Sequence, residues 1–234
     1  EEFKRLFDEA LQSSNPFLQQ ISKRIISRRG KMMRPILIIL TARLHGAIGF
    51  PTYYTAVSLE LLHTASLIHD DVVDVSQERR GQKSVNAIYD NQVAVLSGDY
   101  LLATSLRYAS LTHNVSIIDV VSQLGRDLSD GELLQLYNAG KPIFSEEEYF
   151  NVIRKKTAAL FSACSMTGSL SVCDDKERAE FARLFGEYIG ICFQIRDDIF
   201  DYYNDDSIGK PTHQDMAEGK LTLPALHVLN ATSD

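Results

Sequence analysis

The sequence predicts an all-α fold, and three observations carry that expectation. Apolar residues recur at three- and four-residue spacing, as in Phe3, Leu6, Phe7 and Leu11, which sets them on one helix face. Two segments, Thr55 to Asp74 and Asn91 to Leu111, are apolar almost all round and suit helices inside a bundle rather than on its surface. Regular strand alternation and a fixed-period repeat are missing, and no Asn-Gly or Asp-Gly pair stands between two alternating apolar runs. At 234 residues, 44% hydrophobic and 24% charged, the chain is expected to form a single domain over 1–234.

The elements follow in order. A first helix starts near Phe3. Asn15-Pro16 restarts the chain as a second helix, since proline suits the first helical turn, and Arg28 to Gly30 ends it. Pro35 opens a third, although Ile36 to Leu40 read as a strand on propensity alone. Gly46 to Pro51 connects to the apolar segment that ends at Asp74. Ser76 to Ser84 is polar and basic and reads as a loop. In the next helix Gly98 costs about 1 kcal/mol relative to alanine, which points to close packing. Ser145 to Glu148 is a capping box. Glu177 to Tyr203 reads as a long amphipathic helix, and Asn204 to Lys220 as a loop.

Charge and cysteine usage exclude several function classes. Net charge is −7, from 24 basic and 31 acidic residues, so a general affinity for nucleic acid or anionic membrane is not favoured, which leaves room for a local basic patch; no nucleic-acid partner is expected. Cys164, Cys173 and Cys192 have no C-x-x-C spacing and read as reduced thiols of a cytoplasmic protein. No apolar run reaches the roughly 18 residues of a membrane span, and no signal-peptide pattern opens the chain. The first residue is Glu1 rather than Met, as in a trimmed chain.

Chemistry is concentrated in two acidic clusters. "SLIHDDVVD" places Asp70, Asp71 and Asp74 at the end of an apolar run, and "FQIRDDIFD" repeats that spacing with Asp197, Asp198 and Asp201. Residues four apart share a helix face, so Asp70 and Asp74 form one ladder and Asp197 and Asp201 another. Two carboxylates ~6 Å apart at an effective dielectric of ~20 repel by roughly 3 kcal/mol. Several facing one cavity would therefore take up protons or capture cations. Oxygen donors without nearby cysteine suit Mg²⁺, held by one or two carboxylates plus waters and substrate phosphates.

A polyanionic substrate also needs protein cations. Lys31 and Arg34 precede a helix, Arg79 and Arg80 follow the first cluster, Lys156 stands beside Thr157, and Lys210 and Lys220 follow the second cluster. His63 lies seven residues before Asp70, about two turns along the same face, where it can donate to a second substrate. His69 is either a site residue or core, and Gln194 either lines a cavity or is an ordinary polar helix residue. His45, His113 and His227 have no evident partner in the sequence.

Taken in order, "GKMMRP", "HTASLIHDDVVDVSQERRG", "AVLSGDYLLA", "GELLQL", "RKKTAALF", "GICFQIRDDIFDY" and "EGKLTLP" resemble the trans-isoprenyl diphosphate synthase family, and most of all its bacterial polyprenyl (octaprenyl-type) branch. The resemblance implies long helices bundled around a deep central cavity, in a homodimer. It implies Asp70, Asp74 and Asp197 as main Mg²⁺ ligands, with Asp71, Asp198 and Asp201 supporting. It assigns Arg79, Lys156, Thr157, Gln194, Lys210 and Lys220 to an allylic diphosphate. Lys31, Arg34, His63 and Arg80 then hold isopentenyl diphosphate. The implied reaction ionises the allylic diphosphate, joins the cation to isopentenyl diphosphate and eliminates a proton. It needs no Ser or Cys nucleophile.

Chain length is also readable under this resemblance. Ala65 and Ser66, five and four residues before Asp70, are small and leave the cavity open one turn (about 5.4 Å) below the metals, so a product longer than farnesyl is expected. Two departures stand out. The family's usual Gly-Gly-Lys-Arg is here Arg29, Gly30, Lys31 and Met32, which removes one glycine and one basic residue. The chain also stops at Asp234, where family members continue through further C-terminal helices. The alternatives are a non-catalytic helical subunit of a prenyl synthase and a short-chain (geranylgeranyl or farnesyl) synthase. A histidine–aspartate phosphohydrolase leaves the second cluster unexplained, and a terpene cyclase leaves Lys31, Arg34 and Arg80 idle.

Overall fold

The structure is a computed structural model that describes residues 1–27, 30, 32–79, 81–138, 145–202 and 222–231. Within these the chain is all-α except for one small hairpin. The first helices are α1 (Glu2–Ala10), α2 (Pro16–Ser27), α3 (Met33–His45) and α4 (Phe50–Val73). The hairpin β1 (Glu78–Arg79) and β2 (Gln82–Lys83) leads to α5 (Val85–Ile88), α6 (Asn91–Ser110) and α7 (Val115–Asn138). Then come α8 (Glu146–Ile153), a π-helical turn (Arg154–Ala158), α9 (Ala159–Leu170), α10 (Lys176–Asp201) and α11 (Leu223–Ala231).

Caps fix several starts. Asn15 Oδ1 accepts the Phe17 and Leu18 amides ahead of α2, and Ser145 Oγ accepts the Glu148 amide at 3.1 Å, as the capping-box reading requires. Asp90 does the same for α6 and Asn114 for α7. Ile36 to Leu40 are helical, because burial of Ile38 on the inner face of α3 outweighs their strand propensity.

Two readings change. Ser76 to Ser84 is not a plain loop: Glu78 pairs with Lys83 and Arg79 with Gln82 in an antiparallel ladder. Gly81, at φ 71°, supplies the left-handed residue that a tight turn needs, in an Arg-Gly rather than an Asn-Gly context. The π-helical turn at Arg154–Ala158 has no counterpart in the sequence reading either.

The described chain divides into two compact units: Glu1–Gln123 with Cys164–Ala182, and Leu124–Ala163 with Arg183–Asp234. In the first, α4 is central and packs against α1, α3, α5 and α6. Its residues Leu59, Leu61, Ala65 and Ile68 are buried. Against α6, Ser58 Oγ donates to the Ser105 carbonyl and Ser105 Oγ to the Ser58 carbonyl, at 2.9 and 2.8 Å. These small residues let the two helices approach and still satisfy their hydroxyls. In the second unit Tyr149, Ile153 and Leu226 form a core with Phe150, Ile191, Ile195 and Leu223 around them. A side chain at Gly190 would come within 2.5 Å of Ala158 Cα, so α10 runs hard against the π turn. No described helix is long and apolar enough to cross a membrane.

Candidate active site

In the first unit the acidic cluster ends α4. Asp70 is half-buried, Asp71 is 3% exposed, and Asp74 is exposed just past the helix. The Asp74 amide donates to the Asp70 carbonyl at 2.8 Å, so the helical repeat carries the ladder through Asp74. Asp71 turns inward: Arg79 Nε donates to its Oδ1 at 2.6 Å. Asn86 Nδ2 donates to the backbone carbonyls of Asp71 and Ser76, both at 3.1 Å. The hairpin is thereby tied to the acidic end of α4.

Asp71 and Arg79 share a cavity of about 80 Å³ with Phe7, Glu60, His63 and Ile68. The expected two-turn relation of His63 to the aspartates thus brings it to the same cavity as Asp71. Arg34, on α3, lies within electrostatic reach of Cys164. Burial pushes the Cys164 thiol up to about 12, the Arg34 charge pulls it down and Glu60 adds to the rise. Such a thiol stays protonated near neutral pH and is no nucleophile. All three cysteines are free. Ala65 is buried, and Ser66 Oγ donates to the His63 carbonyl at 2.9 Å. His69 Nε2 reaches the Val95 carbonyl at 3.2 Å and Asp99 at 3.3 Å, which places it in the packing of α4 on α6.

In the second unit α10 carries Gln194, Asp197, Asp198 and Asp201 near its end. Asp198 is 4% exposed. It accepts the Tyr149 hydroxyl at Oδ2 and Gln194 Nε2 at Oδ1, the latter at 2.7 Å. Burial raises its carboxyl above the ordinary range; the bonds from Tyr149 and Gln194 pull it down, and Asp197 and Asp201 push it up again. Gln194 Oε1 accepts the Thr157 hydroxyl at 2.6 Å. Lys156 Nζ donates to Gln135 at 2.6 Å and pairs with Glu132 at 2.9 Å. Asp197 and Asp201 are half-buried.

Sequence reasoning missed Tyr149, Glu132, Gln135 and Asn86. Tyr149 reads as an ordinary core aromatic of α8. Glu132 and Gln135 stand three apart in "GELLQL" and so share a helix face, but nothing in that spacing names Lys156 as their partner. Lys31, Arg80, Lys210 and Lys220 lie outside the described residues.

Among the described residues no three His, Cys, Asp or Glu side chains converge at metal-ligand reach. The carboxylates of each cluster, taken by itself, still suit Mg²⁺, which takes few protein carboxylates and completes its shell with water and phosphate oxygens. Asp70, Asp74, Asp197 and Asp201 offer hard oxygen and keep some exposure. Asp71 and Asp198 already accept protein donors.

The polyprenyl synthetase family model matches residues 15–234. The octaprenyl diphosphate synthase of Escherichia coli (strain K12) is 37% identical over 224 residues, which are 95% of this chain and 69% of that protein. A crystal structure of a geranylgeranyl pyrophosphate synthase from Bacteroides thetaiotaomicron is 55% identical with a TM-score of 0.82, covering 98% of this chain and 69% of that one. A polyprenyl synthase from Caulobacter crescentus CB15, complexed with calcium and isoprenyl diphosphate, is 33% identical with a TM-score of 0.90, covering 99% and 71%. With its helices, its paired aspartate clusters and a family match over nearly its whole length, the chain belongs to the polyprenyl synthetase family.

Proposed function

We propose that this protein condenses isopentenyl diphosphate with an allylic diphosphate, in a Mg²⁺-dependent ionisation–condensation–elimination reaction, to make a medium- or long-chain polyprenyl diphosphate. The observation that carries this reading is a repeated arrangement. In both clusters the middle carboxylate, Asp71 or Asp198, is buried on protein donors, while the outer two keep some exposure.

In this reading, which follows the family resemblance, Asp70 and Asp74 of the first cluster and Asp197 of the second hold Mg²⁺, with Asp201 supporting. Bound there, Mg²⁺ supplies positive charge that stabilises the departing diphosphate. Lys156, held ready by Glu132 and Gln135, adds a protein cation to the same oxygens, together with Arg79, Lys210 and Lys220. Thr157 and Gln194 line the allylic side. Lys31, Arg34, His63 and Arg80 hold isopentenyl diphosphate. The allylic C–O bond breaks, the double bond of isopentenyl diphosphate attacks the cation, and a proton leaves to the released pyrophosphate. Apolar helix walls keep water from the cation.

The same proposal takes the chain as one synthase domain that self-associates in the cytoplasm. Val95 and Leu106, on one face of α6, are exposed at 40% and 43%, which supports a homodimer, and the free cysteines suit a reducing compartment. A second reading, a shorter geranylgeranyl product, draws support from the 55% identity to the Bacteroides thetaiotaomicron enzyme.

Pyrophosphate release tests the reaction. It is expected only when both diphosphates and Mg²⁺ are present, and to fall at least a hundredfold in Asp70→Asn or Asp197→Asn, about 2.7 kcal/mol of transition-state stabilisation. Release from the allylic substrate alone, at the same rate, contradicts it.

A further inference from the structure

A hydrogen-bond chain leaves the second acidic cluster in a fixed direction. Tyr149 is 5% exposed, its ring seated in the core with Ile153 and Leu226, and its hydroxyl donates to Asp198 Oδ2. An ionised carboxylate only accepts, so the Gln194 amide must turn its NH₂ toward Asp198 Oδ1, at 2.7 Å. That orientation points Gln194 Oε1 away, where it takes the Thr157 proton at 2.6 Å. The Thr157 hydroxyl has then spent its one proton. What it offers to anything facing the π turn is an oxygen lone pair.

We propose that Tyr149 is a positioning residue: by anchoring Asp198 it sets the direction of the Asp198–Gln194–Thr157 chain and presents the Thr157 oxygen as an acceptor on the allylic side. The inference rests on the reading that Thr157 lines the allylic site. An acceptor there gains little from a neutral allylic carbon and more as positive charge develops on it, so its effect belongs to the rate rather than to binding. Tyr149 touches no substrate in this account. It acts through Asp198, whose second oxygen would otherwise be free to turn and release Gln194.

Tyr149→Phe keeps the ring in the core and removes only the hydroxyl. Its expected effect is a fall in kcat of about tenfold, the scale of one lost hydrogen bond to a charged group, with KM for both diphosphates within about twofold. The loss should vanish in a Gln194→Leu background, because both changes break the same chain. Losses that simply add, or a KM change matching the kcat change, overturn the positioning role. The bond itself is read without turnover, by ¹³C NMR of protein labelled at the tyrosine Cζ. The resonance missing from Tyr149→Phe is expected to move in Asp198→Asn; an unmoved resonance overturns the anchor. A protein that turns over neither substrate contradicts the proposed reaction, while the resonance still decides the anchor.

Discussion

The His69 imidazole occupies the space in which a side chain at Gly98 would stand. A Cβ built on Gly98 would lie 2.2 Å from His69 Nε2, while that nitrogen reaches the Val95 carbonyl at 3.2 Å. The glycine is there for the histidine next to Asp70, so the two effects of replacing it can be separated. Gly98→Ala is expected to destabilise by about 1–3 kcal/mol through overpacking. In a His69→Ala background the same change should stabilise by up to about 1 kcal/mol, the helix propensity of alanine over glycine. Urea denaturation of the four proteins checks this; a cost that persists without His69 contradicts it.

Asp198 should make stability depend on pH in an unusual direction for a carboxylate. Burial raises its folded-state pKa above the ordinary 3.8. A group shifted that way contributes stability that is full below its unfolded pKa and lost as pH rises through its folded one. Asp198→Asn cannot lose it. The melting temperature of Asp198→Asn relative to the parent, measured with EDTA, is therefore expected to increase as pH rises from about 4. A difference that shrinks with rising pH would mean that the carboxylate is favoured in the folded state.

Arg79 and Asp71 form the ion pair that ties the hairpin to α4. The side chain of Asp71 is 5% exposed and that of Arg79 33%, so removing Arg79 takes a close cation from a buried carboxylate. Arg79→Leu is expected to cost about 2–3 kcal/mol, below the full value for a wholly buried pair because Arg79 is partly solvated. Asp71→Asn should return part of that loss in the Arg79→Leu protein but not in the parent. Chemical denaturation midpoints measure both.

Much of this was legible before the structure. Helical periodicity announced α1, α4, α6 and α10, and the matched aspartate spacing marked the acidic ends of α4 and α10, because each signal is local. Gly98 pointed to close packing, and His69 is what packs there. What stayed hidden depends on contacts between elements distant in sequence. Tyr149 and Asp198 are 49 residues apart, and Lys156 and Glu132 meet across separate helices. The hairpin escaped because its turn uses Arg-Gly, and the π turn because an i→i+5 hydrogen-bond pattern leaves no composition signal. Three of the histidines had no partner in the sequence; in the structure His45 meets Ser169 and His227 meets Glu146.

Ala65 tests the chain-length reading. It is 2% exposed on α4, one turn before the aspartates. Ala65→Phe is expected to shorten the product, at a stability cost of about 1–3 kcal/mol from overpacking. Product chromatography of the folded variant checks this. An unchanged product length would show that Ala65 serves only the packing of α4.

The most direct test of the central claim is incubation with Mg²⁺, farnesyl diphosphate and labelled isopentenyl diphosphate, with products resolved by chain length. The account predicts a ladder of labelled prenyl diphosphates that ends beyond geranylgeranyl and disappears with EDTA. A ladder that ends at geranylgeranyl or earlier, or no incorporation at all, would contradict it.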